Sequence, residues 1–407
     1  MQDVILITVS GEDKPGLSTS LLGVLAQYDA KILDIGQAVI HSTLSLGILT
    51  QVPEGVSWDA VARELLFRAH ELDLKIKFVP VTTDEYMEWT DAQGKDRHII
   101  TLLGAVLNAD HMSQLTKIMH EQGLNIDVIT RLSGRIPLNA DTPPTMACVE
   151  FSVRGTPRDA TAMRGEFLTL SHEMGIDIAF QVDDVYRRNR RLVVFDMDST
   201  LVQVEAIDEM AAAAGAGDVV ASITAAAMAG EIDFKESLQQ RITALKGLEE
   251  SALAEVANRI PLTDGAERLI GMLKHLGYKI ALISGGFTYF GRHLQKSLGI
   301  DYVYANELEI VDGRLTGNIV GEIIDADRKA EIVREIAEKE NIRLAQVVAV
   351  GDGANDLPML ALAGLGIAFR AKPLVRESAR QALSTVGLDG ILYLIGVRDR
   401  EMLDQLR

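Results

Sequence analysis

The amino-acid sequence predicts a doubly wound α/β domain with an inserted helical cap, preceded by two smaller α+β units. Three observations carry this. From Leu192 onward, apolar strand-like runs ("LVVFD", "KIALISGG", "VVAVGDG") alternate with helical ones ("GAERLIGMLKHLG", "RKAEIVREIAEKEN"). That alternation is the signature of a parallel sheet with helices on both faces. Helical sequence from about Glu205 to Ile260 interrupts it just after the first strand; it is too long for a simple crossover and reads as a cap. Ahead of Leu192 the order β-α-β-β-α-β occurs twice at similar length, which marks an internal duplication. A chain of 407 residues has room for two or three domains at ~150 residues each. The expected boundaries are 1–82 and 96–184 for the small units and 190–407 for the α/β domain, with the cap at about 205–262.

In the first unit, "VILITVSG" reads as a strand and "KPGLSTSLLGVLAQYDA" as a helix entered through Pro15 and Gly16. "KILDIGQAVI" and "LSLGILTQV" form a hairpin pair, "SWDAVARELLFRAHELD" is a helix with Ser57 as N-cap, and "LKIKFVPV" closes the unit. The polar "TTDEYMEWTDAQGKD" reads as a linker. The second unit repeats the order with "RHIITLLGAVL", "ADHMSQLTKIMHEQG", "LNIDVITRLSG", "TMACVEFSVRG", "PRDATAMRGEFLTLSHEMG" and "IDIAFQVDDV", and "YRRNRR" reads as a second linker.

Composition narrows the function. With 47% hydrophobic and 24% charged residues the chain has the make-up of a soluble globular protein. A formal net charge of −18 argues against nonspecific binding to nucleic acid or an anionic membrane. No nucleic-acid partner is expected, and an anionic substrate must meet locally placed positive charge. The one cysteine, Cys148, excludes an intramolecular disulfide and fits a reducing compartment. "MQDVILITVSGEDK" lacks a basic leader and meets charge too soon for a signal peptide. No segment offers ~18 uninterrupted apolar residues, and the Ala-rich "MAAAAGAGDVVASITAAAMAG" is broken by Asp218 and reads as helix. A cytoplasmic protein without membrane attachment is expected.

The chemistry concentrates at strand ends, where open parallel sheets place their sites. "LVVFDMDST" ends a strand in two carboxylates, Asp196 and Asp198. One exposed carboxylate can attack phosphorus covalently, and its neighbour can protonate a leaving oxygen and later activate water. Two like charges this close are costly unless a cation lies between them. Asp352 and Asp356 in "GDGAND" complete a hard, oxygen-rich set suited to Mg²⁺. Ser284, with Gly285 and Gly286, offers a hydroxyl and unobstructed backbone N–H groups for phosphate oxygens. Lys329 opens a helix and can neutralise charge on a transferring phosphoryl group. Taken singly, each is more often a turn, a solvated acid or a surface lysine; together and in order they point to phosphoryl transfer.

"DMDST", "SGG", the lysine and "GDGAND" resemble the motif set of the haloacid dehalogenase superfamily of phosphotransferases. "FDMDSTLVQVEAIDEMA", "MAGEIDFKESLQQRITALKGL", "ISGGFTYF", "ANELEIVDGRLTG" and "VVAVGDGANDLPML" resemble, within it, the phosphoserine phosphatase family, over essentially all of Leu192 to Arg407. "SGEDKPGLSTSLLGVLAQYDAKILDIGQAVI" resembles the ACT domain, a ferredoxin-like regulatory module that often binds amino acids. The second copy, "LGAVLNADHMSQLTKIMHEQGLNIDVI", departs from it by lacking the Pro-Gly turn.

The resemblance implies a Mg²⁺-dependent phosphatase that hydrolyses O-phospho-L-serine through an aspartyl phosphate, as the last step of L-serine biosynthesis. It implies Asp196 as nucleophile and Asp198 as acid and base. Mg²⁺ would be held by Asp196, the Asp198 carbonyl and Asp352, with Asp356 in support. Ser284, Lys329 and Asn355 would surround the phosphoryl group, and Glu205 would take the ammonium and Arg241 the carboxylate. Gly285, Met228, Phe234 and Thr288 would assist in substrate choice, and Thr200 and Ser199 are expected to orient the turn through hydroxyl bonds to backbone. Physics supports the Arg241 assignment independently, because a guanidinium fork grips a carboxylate bidentately. A serine effector is expected at Asp13 and Gly16 in the first ACT unit, and ACT pairing implies a homodimer. The alternatives are a related phosphatase, or a phosphotransferase acting on another small phosphorylated amino acid. An amino-acid sensor with an inert catalytic half conflicts with the intact Asp196, Asp198, Lys329 and Asp352.

Overall fold

The computed structural model describes residues 4–91, 94, 96–135 and 146–403. Residues up to Lys95 form one compact unit and those from Asp96 onward another.

In the first unit, strands β1 (Val4–Glu12), β2 (Lys31–Ile40), β3 (Thr43–Gln51) and β4 (Lys75–Val81) form an antiparallel sheet in the order β2-β3-β1-β4. Alternation decides what is buried: Ile5, Ile7 and Val9 of β1 and Leu44, Leu46 and Ile48 of β3 point to one face. There they meet Leu21 and Leu25 of helix Leu17–Gln27 and Val61 and Leu65 of helix Trp58–Glu71. The expected linker after β4 is partly helical, over Thr83–Asp91. A reciprocal cap explains it. Thr82 N–H donates to Glu85 at 2.8 Å and Glu85 N–H donates to the Thr82 hydroxyl at 3.2 Å.

The second unit opens with a matching sheet, β5 (Arg97–Gly104), β6 (Asn125–Arg131), β7 (Ala147–Arg154) and β8 (Asp177–Val182), ordered β6-β7-β5-β8. Its strands β5, β7 and β8 are covered on both faces, while β6 stays largely exposed. Ile100, Leu102 and Phe151 pack against its own two helices, while Leu103, Cys148 and Ala179 join the core of the large domain beside Tyr393 and Leu394. Side chains lock the junction. Asp177 accepts from Ser384 N–H at 2.8 Å and Thr385 N–H at 2.9 Å, and Gln381 exchanges hydrogen bonds with the Phe180 backbone. The expected second linker is anchored at two points. Arg187 is fully buried against Glu150, and Arg190 donates to the Ala345 carbonyl.

The large domain is built on seven strands: β9 (Leu192–Phe195), β10 (Lys279–Phe287), β11 (Tyr302–Val311), β12 (Arg314–Val320), β13 (Val347–Gly351), β14 (Leu365–Phe369) and β15 (Gln381–Leu383). Their order is β12-β11-β10-β9-β13-β14-β15, parallel throughout except for the β11–β12 hairpin at one edge. In β9, Val193 and Phe195 enter the core on one face and Leu192 and Val194 the core on the other. A strand buried on both sides must read as a continuous apolar run, as this one does. Helices Ala206–Ala214, Gly217–Met228, Phe234–Ala244 and Glu250–Arg259 occupy the span between β9 and helix Ala266–His275.

Candidate active site

β9 and β13 are hydrogen-bonded neighbours, so their carboxyl ends deliver Asp196 and the "GDGAND" loop to one place. β10, on the other side of β9, brings Ser284. The chain turns sharply after Asp196. Ser199 adopts a left-handed φ of 56°, and its hydroxyl donates to Glu205 at 2.9 Å. The buried Thr200 hydroxyl donates to Asp352 at 3.0 Å. Thr200 thus ties the β9 turn to the β13 loop.

Lys329, fully buried on helix Ala326–Lys339, stands between two acids. Its Nζ donates to Asp356 Oδ1 at 2.7 Å and lies 2.9 Å from Asp196 Oδ1. Burial alone would lower its pKa; the charges of Asp196 and Asp356 overcome this and hold the ammonium form above its ordinary range. The partner of buried Asp196 Oδ1 among the described residues is this ammonium. Gly351 and Gly353 make room for Asp356 and Asn355: a Cβ at Gly351 would lie 2.4 Å from the Asp356 carboxylate, and one at Gly353 2.2 Å from Asn355 Oδ1.

Carboxylate oxygens of Asp196, Asp352 and Asp356 lie within 4.8 Å of one another. Burial first, and the neighbouring charges of Asp196 and Asp356 next, push Asp352 up to about 7. Asp356 is raised in the same direction, mainly by burial and by Asp196. Such a set of hard oxygen donors, gathered this closely with only one ammonium beside them, fits a divalent cation. Asp198 points elsewhere. Its Oδ1 accepts from Ala206 N–H at 2.9 Å, and a Cβ on Gly286 would meet its Oδ2 at 2.5 Å. Burial, then Glu205 and Asp196, raise its pKa well above the ordinary carboxylate value.

These groups open on a cleft of about 430 Å³. Asp196, Asp198, Ser284 and Asn355 line its floor side, and Glu205, Phe234 and Arg241 belong to the helices inserted after β9. The Phe234 ring closes over Gly285, 3.2 Å from where a Cβ would stand. Arg241 forms no ion pair among the described residues; Nε donates weakly to Ser237 O at 3.4 Å, leaving the fork free. Burial raises the pKa of Glu205.

Two expectations change at the cleft. Gly286 N–H donates to Ser284 Oγ at 2.9 Å, so it is spent inside the loop and not offered to a ligand; the hydroxyl proton is what remains free. Thr288 does not line the cleft, because its hydroxyl is held by Glu307 at 2.6 Å on neighbouring β11. The side chain of Met228 lies outside the described residues. Sequence reading missed Lys372 and Leu374, which line the cleft after β14. The rule that sites gather at strand ends could have found them, since "FRAKP" follows an apolar strand and Pro373 opens a helix.

In the first unit, Gly16 takes a φ of 93° at the head of helix Leu17–Gln27, and a Cβ there would meet nothing within 4 Å. Asp13 N–H donates to Ser42 O at 2.8 Å, fixing the loop between β1 and this helix.

Comparison with known proteins agrees with this architecture. Residues 190–364 match the haloacid dehalogenase-like hydrolase family, and residues 3–79 and 96–181 each match an ACT domain family. A phosphoserine phosphatase of Streptomyces coelicolor is 41% identical over 98% of this chain and 93% of its own length. One from Mycobacterium tuberculosis is 39% identical over 98% of this chain and 94% of its own. Among solved structures, a probable phosphoserine phosphatase from Vibrio cholerae superposes with a TM-score of 0.59 at 33% identity, covering 76% of this chain and 88% of that one. With its hydrolase fold, its duplicated small units and near full-length similarity to these relatives, the chain belongs to the phosphoserine phosphatase family of haloacid dehalogenase-like hydrolases and carries two ACT domains.

Proposed function

We propose that this enzyme hydrolyses O-phospho-L-serine to L-serine and phosphate through an aspartyl phosphate on Asp196, as the last step of L-serine biosynthesis. The observation that carries the reading is a single cleft lined by Asp196, Asp198, Glu205 and Arg241, the last without an ion pair among the described residues. A phosphoserine carries a phosphate, an ammonium and a carboxylate, and the cleft offers a partner to each.

Asp196 attacks phosphorus and displaces the seryl oxygen. Asp198, whose protonated form is favoured by burial, donates the proton that the leaving alkoxide needs. Having lost it, Asp198 takes a proton from water, which attacks the acyl phosphate and regenerates Asp196. The free Ser284 hydroxyl proton and the Lys329 ammonium stabilise the phosphoryl oxygens, with Asn355 beside them. Glu205 pairs with the substrate ammonium and Arg241 with its carboxylate. Asp196, Asp352 and the Asp198 carbonyl, with Asp356 in support, would hold Mg²⁺, which when bound offsets the negative charge gathered at the phosphoryl group.

We further read the enzyme as a cytoplasmic homodimer regulated by serine at the first ACT unit. No helix among the described residues is long and apolar enough to cross a membrane. The edge strand β2 exposes Ile32, Ile35, Val39 and Ile40, an apolar strip suited to pairing with a second copy. The deciding experiment measures phosphate release from O-phospho-L-serine and a panel of phosphomonoesters, with and without Mg²⁺ and with added alcohol acceptors. Faster release from another ester, or transfer to an acceptor in place of release, overturns the substrate or the reaction type.

A further inference from the structure

Arginines without carboxylate partners gather where the second ACT sheet meets the edge of the large sheet. Arg164 comes from helix Ala160–Met174, Arg190 from the segment just before β9, and Arg380 from the residue just before β15. They line one cleft of about 290 Å³, with Gln181 and Gln381. None of the three forms an ion pair among the described residues, although the chain carries a net charge of −18. One acid, Asp184, also lines the cleft; its Oδ1 accepts from Tyr186 N–H and Arg187 N–H, each at 2.9 Å, and its charge supports the cationic form of Arg190.

Arg190 is the informative member. It is only 6% exposed, and its head group is fixed by the carbonyls of Ala345 and Gly364. Its buried Nε–H has no partner. An unpartnered buried donor on a permanent cation is unfavourable, and negative charge in the cleft that Arg190 lines would offset this electrostatically. Guanidinium forks match the geometry of phosphate and carboxylate oxygens better than any other side chain. The cleft's size falls near the lower end of small-ligand sites, roughly 300 Å³. It shares no lining residue with the catalytic cleft.

We propose that this junction cleft binds a small molecule bearing a phosphate-type dianion, gripped by Arg164 and Arg380 beside the fixed positive charge of Arg190. Its position is suited to regulation. Arg190 stands two residues ahead of Leu192, where the strand leading to Asp196 begins, and Phe180, Gln181 and Val182 of the ACT sheet line the same cleft.

The test is calorimetric titration of the full chain at constant ionic strength, with inorganic phosphate in one arm and adenosine monophosphate in the other. Wild type is compared with Arg164→Ala/Arg380→Ala, both exposed positions, and thermal melts check the fold. Wild type should bind one more equivalent than the double variant, while phosphoserine turnover at low phosphate stays within about twofold. The arm that binds more tightly tells whether the dianion arrives free or as a monoester. If the double change disturbs folding, Arg380→Gln alone must weaken the same site by about tenfold or more. Equal stoichiometry and affinity in wild type and folded variants, in both arms, overturn the proposal.

Discussion

Asp356 Oδ1 accepts a 2.7 Å hydrogen bond from Lys329 Nζ, and neither side chain exposes any surface. The pair couples stability to catalysis, because the same ammonium lies 2.9 Å from Asp196. Removing one partner strands a buried charge, which typically costs about 3–5 kcal/mol. Lys329→Met should therefore lower the urea midpoint markedly as well as abolish turnover. A variant of wild-type stability that is merely inactive would show that the cluster tolerates an uncompensated Asp196–Asp356 pair.

Asp196→Asn should keep the fold and lose turnover by more than about a thousandfold, or ~4 kcal/mol of barrier. Beryllofluoride, which mimics the acyl phosphate, should then trap wild type on Asp196 and leave the variant free. Residual activity within about tenfold of wild type would remove Asp196 from the nucleophile's role.

Much of this site is legible in sequence because the groups that matter stand where strands end, and a strand buried on both faces announces itself as an unbroken apolar run. Leu192 to Phe195 is such a run, and Asp196 is where it stops. The junction of the second ACT unit is harder to read. β7, "ACVEFSVR", is buried on both faces where β3 of the first unit alternates, but a short apolar run does not say what covers its second face. The arginines of "YRRNRR" look like a solvated linker because burial of Arg187 depends on Glu150, 37 residues away. The helix over Thr83–Asp91 was within reach, as its Thr82–Glu85 cap is a local signal. Thr288 could not be placed from sequence, because its partner Glu307 comes from the neighbouring strand.

Mg²⁺ binding should weaken as the solution is acidified through neutrality. Asp352 sits at about 7 without metal, raised by burial and by Asp196 and Asp356, so a cation competes with a proton below that pH. Apparent affinity should fall by about tenfold per pH unit there and level off above it. The folded state keeps a proton that the unfolded chain releases from about pH 4 upward, so metal-free stability declines as pH rises from about 4 to about 7. The gain in melting temperature on replacing chelator with Mg²⁺ should be larger near pH 8 than near pH 5; the reverse order would mean the acids are already ionised without metal.

Arg241→Ala should damage hydrolysis of O-phospho-L-serine far more than that of an aryl phosphate, which has no carboxylate for the fork to hold. Loss of a charge-assisted bidentate contact costs on the order of 2–3 kcal/mol, roughly 30- to 150-fold in kcat/KM. Equal losses for both substrates would assign Arg241 to the phosphate or to cap packing.

Serine should inhibit through the first ACT unit as well as by occupying the catalytic cleft as product. Gly16 leaves open space where a side chain would stand, at the head of helix Leu17–Gln27, whose free N–H groups and dipole favour a carboxylate. An effector acts only by binding one activity state better than the other, and a coupling of about 1–3 kcal/mol is ordinary. Gly16→Val fills that space and strains a φ of 93° that only glycine adopts readily. It changes nothing in the hydrolase domain, so turnover without serine should persist. A chain beginning at Asp96, which lacks the first unit, provides the second arm. Both should retain competitive inhibition by serine at high concentration and lose the component that does not compete with substrate. Calorimetry should count one serine site fewer in each. If wild type and both variants show the same inhibition pattern and the same number of sites, serine acts as product alone and the Gly16 turn is only a turn.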